Sequence, residues 1–374
     1  MTWSQELKHN VTDIARLQKQ LGLSDSETKQ LQELCTHFPM SVTRYYLKLI
    51  DWSDPCDPIR RMCIPTFFET DQSGAFDTSG EASNTVCEGV QHKYRESALI
   101  LTTNRCAMYC RHCFRKRLVG SSDEEIASSF HKVIDYIHDH KEISNVILSG
   151  GDALMLPTEM LSRYLSAFAE MEHLDLIRIA TRIPVVLPER ITEDSELQEA
   201  LRAYGERKQI YVVTQFNHPR ELTEESAAAL RILRECGTVV KNQTVLLKGV
   251  NDDAAVLGSL LRRLTACGAV PYYVFQCRPV TGVKSSFQVP FSRGYDIVEE
   301  AKAMQNGQGK CLKYCMSHPR GKIEIAGKLE DGAMLFKFHQ AKHNHDAGRI
   351  FTRSFRRRKH GFRTASDALV SRTA

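Results

Sequence analysis

The chain has 374 residues, 42% of them hydrophobic and 25% charged, proportions that exclude a disordered, collagen-like or coiled-coil protein and leave room for a sizeable core. At roughly 100–200 residues per domain, this length fits two or three units, or one α/β barrel with flanking pieces. The net charge is +5, yet residues 341–374 hold nine Lys or Arg against two Asp, which is +7 and leaves −2 for the rest. The basicity lives in the tail, where Arg356, Arg357, Arg358 and Lys359 read as a solvated segment; no base-stacking motif accompanies them, so nucleic-acid binding is not expected. No apolar run approaches the roughly 20 residues of a membrane span, and the start MTWSQELKHNVTDIARLQKQ is unlike a signal peptide. A cytoplasmic location is therefore expected, in which the twelve cysteines serve as thiols, metal ligands or catalytic groups rather than disulfides.

Residues 1–90 carry helical patterns (14–21, 27–34 and 42–50) followed by the loop-forming stretch WSDPCDPIRR, and are assigned to a helical N-terminal region. From about residue 98, six β-branched apolar runs alternate with helix-period segments: 98–104, 145–149, 177–182, 209–216, 239–247 and 270–277. That alternation predicts parallel strands joined by crossover helices, an α/β partial (β/α)6 barrel spanning 91–285. After the first run, Ser122 and Glu125 have capping-box spacing ahead of a stripe at Ile126, Phe130, Val133 and Ile137. Further helices are predicted at 158–171, 193–207, 223–236 and 252–267, the last two ending in Cys-Gly, where glycine suits a left-handed position. Residues 286–374 form a C-terminal extension with no clear period.

The sharpest signal is the loop after the first strand, where Cys106, Cys110 and Cys113 stand in CxxxCxxC spacing. Zinc fits poorly, because structural zinc takes four ligands and no matching second pair is present; no zinc site is predicted. Three thiolates suit a [4Fe–4S] cluster with one iron left without a protein ligand. His112, between two of the cysteines, is read as a structural neighbour of the cluster. The cysteine loop, Ser149-Gly150-Gly151-Asp152, Arg182, Asn217 and Arg278 all fall at C-terminal strand ends, the side where parallel barrels build active sites.

The stretches TNRCAMYCRHCFRKR, LSGGDAL (148–154), RIATRIPVVLPERIT (178–192), FNHPRELTEES (216–226) and NQTVLLKGVND (242–252), with YYLKLIDWSDPCDPIRRMCIPT (45–66) upstream, resemble the lysine 2,3-aminomutase family of the radical S-adenosylmethionine (SAM) superfamily. The resemblance runs from about residue 40 to 300. It implies an isomerase that moves an amino group from C2 to C3 of an amino acid, using the cluster, SAM and pyridoxal 5′-phosphate (PLP). It further implies an electron donor such as flavodoxin or ferredoxin and a homo-oligomer. Residue by residue, it assigns Cys106, Cys110 and Cys113 to the cluster, Ser149, Gly150, Gly151, Asp152 and Gln243 to SAM or the cofactor lining, and Lys93 and Tyr94 to the PLP phosphate. Lys322 becomes the Schiff-base lysine and Arg115 the partner of the substrate carboxylate.

This chain also departs from the family. Ser97 and Phe275 replace a basic residue and a tyrosine expected near the phosphate, and the glycine run before Lys322 is reduced to Pro319-Arg320-Gly321. Arg278 stands where lysine-specific members place an aspartate, and no acid occurs among Cys315, Met316, Ser317 and His318, where the second is expected. A guanidinium facing a substrate ammonium is unfavourable, so the expected substrate is not free lysine but one whose side chain is anionic or accepts hydrogen bonds. Two alternatives stay open: a radical SAM enzyme that lacks PLP, or acts on a protein lysine, and an iron–sulfur sensor or nucleic-acid-binding protein. Cys311, Cys315, His339, His343 and His345 are left as structural residues.

Overall fold

Twelve strands lie side by side in chain order in a computed structural model that describes residues 2–355; the basic run Arg356–Lys359 falls outside the described residues. The strands are β1 (Thr85–Cys87), β2 (Val90–Tyr94), β3 (Ser97–Thr103), β4 (Asn145–Gly150), β5 (Leu176–Ala180), β6 (Gln209–Thr214), β7 (Val239–Leu246), β8 (Val270–Gln276), β9 (Lys313–His318), β10 (Gly321–Lys328), β11 (Met334–Ala341) and β12 (Ile350–Arg353). Strands β3 to β9 run parallel. β1 and β2 precede them, and β10 to β12 follow them, in antiparallel pairings. The sheet is not closed, since β1 and β12 form its edges, and the fold is the partial (β/α)6 barrel expected from the sequence. Among the described residues, no helix is long and apolar enough to cross a membrane.

The six predicted strands are β3 to β8, each within two residues of its expected ends. Helices Thr158–Ala169, Ser195–Gly205, Glu224–Glu235 and Ala254–Ala266 fill the predicted crossovers. Gly237 (φ 78°) and Gly268 (φ 76°) take the left-handed conformation that lets the last two of these helices stop. One expectation fails: the first crossover helix is Phe130–Asp139, capped by Ser129 rather than Ser122. The stretch before it makes a turn at 123–126 instead, as the Ala127 amide donates to the Leu101 carbonyl (2.8 Å) and Glu125 is drawn into an ion pair with Arg117 (2.7 Å). Tertiary bonds outcompete the local cap.

The C-terminal extension carries its own pattern. Helix Phe291–Ala303 and β9 add one more parallel unit, and β10 and β11 alternate buried apolar residues (Ile323, Ile325; Met334, Phe336, Phe338) with more exposed ones, among them the apolar Leu335, over a few residues only. Two apolar cores result, one under the barrel helices and one beneath this C-terminal sheet. In β7 buried and partly exposed residues alternate along the whole strand, so Val240 and Leu246 pack in the cores while Lys241 and Gln243 face the opposite side.

Candidate active site

The cysteine loop follows β3 and is held from both sides. Its Tyr109 and Arg111 amides donate to the Ser41 and Met62 carbonyls (2.9 and 2.8 Å), and Asn10 donates to the Ala107 carbonyl (2.8 Å). Opposite, the amides of Gly151 and Asp152 donate to the carbonyls of Thr103 and Arg105 (2.5 and 2.9 Å). A Cβ at Gly150 would lie 2.2 Å from the Thr103 oxygen, and one at Gly151 would lie 2.2 Å from the Arg105 oxygen. The paired glycines therefore let the end of β4 lie against the backbone that enters the cysteine loop. Gly151→Ala should cost more than about 2 kcal/mol, as overpacking against rigid backbone does, and should lower the iron retained per chain; a urea midpoint and an iron assay check both.

Burial is the main reason the Cys106 and Cys113 thiols are pushed up, Cys113 to about 11, with the neighbouring cysteines adding to it. Cys110 Sγ accepts from Arg182 Nη1 at 2.7 Å, so a cation already touches one sulfur. A metal group that binds thiolates would offset the cost of ionising these sulfurs, and three soft donors suit an iron–sulfur cluster. Among the described residues, no three His, Cys, Asp or Glu side chains meet closely enough to hold a single metal ion.

Arg182, just beyond β5, ties this loop to its surroundings. Its backbone amide donates to Asp152 (2.6 Å), its Nε to the Gln215 carbonyl (3.0 Å), and its Nη2 to Glu221. The fully buried Glu221 also accepts from the Tyr46 hydroxyl (2.5 Å) and from the amides of Asn217 and His218 (2.6 and 3.0 Å). Asp152, likewise buried, caps a one-turn helix by accepting from Leu154 (3.0 Å). The Asn217 side chain donates to His112 Nε2 (3.2 Å) and accepts from the Val245 amide (2.9 Å). His112 Nδ1 is buried without a partner, and burial, followed by Arg182 and Lys116, keeps the ring far below its usual pKa and hence neutral. Under the loop, Arg111 and Lys116 share buried Glu69; burial raises that carboxyl, but the two cations win and hold it below its usual range.

A second set of groups lies beside the loop. Arg115 (6% exposed) donates from Nε to Glu81 (5% exposed; 3.2 Å) and from Nη1 to Ser149 Oγ and the Gly150 carbonyl (3.1 and 3.3 Å). The SGGD segment thus meets Arg115 as well as the cysteine loop. Arg278 stacks 3.9 Å over the Phe114 ring, where Arg115 also packs at 4.6 Å, and its terminal nitrogens donate to the hydroxyls of Ser79 (2.8 Å) and Ser317 (3.0 Å). Ser317, from the segment where an aspartate was sought, is thus an uncharged partner of Arg278.

Lys93 donates to the carbonyls of His318 (2.5 Å) and Ser79 (3.2 Å); burial, then Arg278 and Lys342, lower it to about 7. Its ammonium also lies over the Tyr94 ring at 5.6 Å. Lys322, on β10, sits over the rings of Tyr273 (4.2 Å) and Phe275 (5.7 Å), and burial is the main cause of its fall to about 8. Gln243 donates to the Tyr272 hydroxyl (2.5 Å). Arg278 links Arg115, which shares the Phe114 ring, to Lys93 and Lys322 through the β9 segment, and Gln243 lies opposite Tyr273, the ring that carries Lys322. Sequence reasoning missed Glu81, Ser79, Phe114, Tyr46 and Glu221. Glu221 lies inside a quoted stretch, but Ser79 and Glu81 sit in a loop where no periodicity marks them.

Residues 100–257 match the model of the Radical SAM superfamily. A protein of Aquifex aeolicus (strain VF5), provisionally named an L-lysine 2,3-aminomutase, is 39% identical over 330 residues, 88% of either chain. The L-lysine 2,3-aminomutase of Clostridium subterminale is 37% identical over 82% of this chain and 73% of its own length. The glutamate 2,3-aminomutase of Clostridioides difficile (strain 630) is 36% identical over 84% of this chain and 74% of its own. Among solved structures, a radical SAM methyltransferase from Sphaerobacter thermophilus overlaps with a TM-score of 0.40 at 15% identity, covering 62% of this chain and 69% of that one. With the cysteine loop at the mouth of a partial barrel and sequence identity of this level over most of its length, the chain belongs to the lysine 2,3-aminomutase family of radical SAM enzymes.

Proposed function

We propose that this enzyme is a PLP-dependent 2,3-aminomutase whose substrate carries an anionic or hydrogen-bond-accepting side chain rather than the ammonium of free lysine. Family membership implies a [4Fe–4S] cluster and SAM, and radical SAM enzymes take a reductant and a substrate. The cluster and SAM supply the radical chemistry; the protein positions and shields. Cys106, Cys110 and Cys113 would hold the cluster, and Ser149 to Asp152 would lie nearest to SAM.

The observation that carries the substrate reading is Arg278, stacked on Phe114 beside Arg115 and bonded to two hydroxyls rather than to a carboxylate. At 4 Å and an effective dielectric near 20, a lysine ammonium there would be repelled by about 4 kcal/mol, and a carboxylate would be attracted as strongly. The relative named for glutamate is compatible with that charge. Lys322 supports the PLP reading: a partly buried amine over two aromatic rings, lowered to about 8, is half neutral near that pH and nucleophilic. Lys93 and Tyr94 would face the phosphate.

Reconstituted anaerobically with PLP and SAM, the protein should transfer tritium from labelled L-glutamate into 5′-deoxyadenosine in preference to label from L-lysine. Arg278→Ala should lower kcat/KM for glutamate by roughly 100-fold, as loss of a charge-assisted pair does. Equal transfer from lysine, undiminished in Arg278→Ala, overturns the substrate reading. Wild-type protein should show a visible band bleached by borohydride and absent in Lys322→Ala. Because only the neutral amine reacts, the rate of PLP capture should rise with pH and level off above about 8. If no such band forms in wild-type protein supplied with PLP, a radical SAM enzyme without that cofactor is the reading left.

A further inference from the structure

Two guanidiniums, those of Arg115 and Arg278, pack on the one ring of Phe114, and a single buried carboxylate, Glu81, serves them from a loop that no motif covers. Glu81 meets Arg115 only through Nε (3.2 Å), while Nη1 is taken by Ser149 and Gly150. Its other oxygen accepts from Arg117 Nη2 at 2.8 Å, and Arg117 in turn grips Glu125 with two bonds (2.9 and 2.7 Å). Burial would raise the Glu81 carboxyl, but Arg115, Arg278 and Arg117 together hold it below its usual range, so the group is an anion in the field of three cations. Among the described residues, Arg278 has hydroxyl partners, Ser79 and Ser317, at its terminal nitrogens.

We infer that Glu81 is a resident counter-ion that stands in for the substrate carboxylate on Arg115 and is exchanged for it on binding, so that Glu81 sets how tightly the site takes an anionic amino acid. The exchange leaves no charge stranded. When Arg115 turns to an incoming carboxylate, Glu81 keeps Arg117, and the arriving negative charge replaces the one that Arg115 and Arg278 lose. A buried cluster of cations without such a placeholder would attract any small anion and would be costly to fold; with it, part of that positive charge is already balanced and the Arg115 position opens only to a ligand that can displace a fixed carboxylate. This inference rests on the assignment of Arg115 to the substrate carboxylate. It does not depend on what the substrate side chain is.

Glu81→Gln keeps the size of the side chain and an acceptor for Arg115 but removes the charge. Calorimetric titration of the reconstituted full chain with L-alanine, which offers the α-carboxylate alone, and with L-glutamate should show both Kd values falling roughly ten-fold in Glu81→Gln. A purely architectural carboxylate would instead weaken binding when removed, so a Kd that is unchanged or higher in a folded Glu81→Gln protein overturns the proposal. If Glu81→Gln does not fold, a crystal structure of the wild-type enzyme with L-alanine decides: Glu81 should have left hydrogen-bond reach of Arg115 Nε, and finding it still in contact overturns the exchange. Should L-alanine tighten while L-glutamate binds to neither protein, the exchange stands and the anionic-substrate reading falls.

Discussion

Replacing Cys106, Cys110 and Cys113 together with alanine should strip iron and inorganic sulfide from anaerobically prepared protein and reduce 5′-deoxyadenosine formation from SAM to background. The three side chains are the soft donors of one short loop, and burial raises the thiols of Cys106 and Cys113, a state that a bound metal group relieves by taking the thiolates. The loop itself should survive, because it is held by backbone bonds to Ser41, Met62, Thr103 and Arg105 that do not involve the sulfurs. Circular dichroism of the triple variant should therefore overlay that of metal-free wild-type protein. Wild-type metal content in the variant would refute the assignment.

Glu221→Ala should be among the most damaging single substitutions for stability, costing about 3–5 kcal/mol, the range for removing one partner of a buried ion pair. The carboxylate is wholly buried and serves Arg182, the Tyr46 hydroxyl and the amides of Asn217 and His218. Without it, a guanidinium would remain in the interior with Cys110 and a backbone carbonyl as its main partners. Glu221→Gln keeps an acceptor and should recover part of the loss. Because Arg182 also reaches Cys110, Glu221→Ala should lower iron retention, which ties a remote carboxylate to the cluster loop. A shift in the denaturation midpoint equivalent to less than 1 kcal/mol would show that the network is dispensable.

The six barrel strands were legible because each is a β-branched run whose buried face must pack against a crossover helix, so hydrophobic period and β-branching report the same constraint. Cys106, Cys110 and Cys113 were legible because three metal-type donors within eight residues have few other uses. The first crossover helix was misplaced, since Ser122 and Glu125 satisfy a local capping rule but spend their side chains otherwise: Glu125 on Arg117, and Ser122 on the Glu124 amide in a turn rather than a helix. Short-range grammar cannot register a competitor that arrives from across the fold.

Composition, period and spacing therefore determined the architecture and singled out the cysteine loop, because both depend on neighbours within one element or one loop. The charge balance of the site was decided only in three dimensions. Glu81 comes from a loop and Glu221 from a one-turn helix, neither with a repeating pattern, and they reach Arg115 and Arg182 across 34 and 39 residues of chain. The energy that keeps a carboxylate ionised in the interior comes from cations packed against it, a quantity that exists only once the chain has folded.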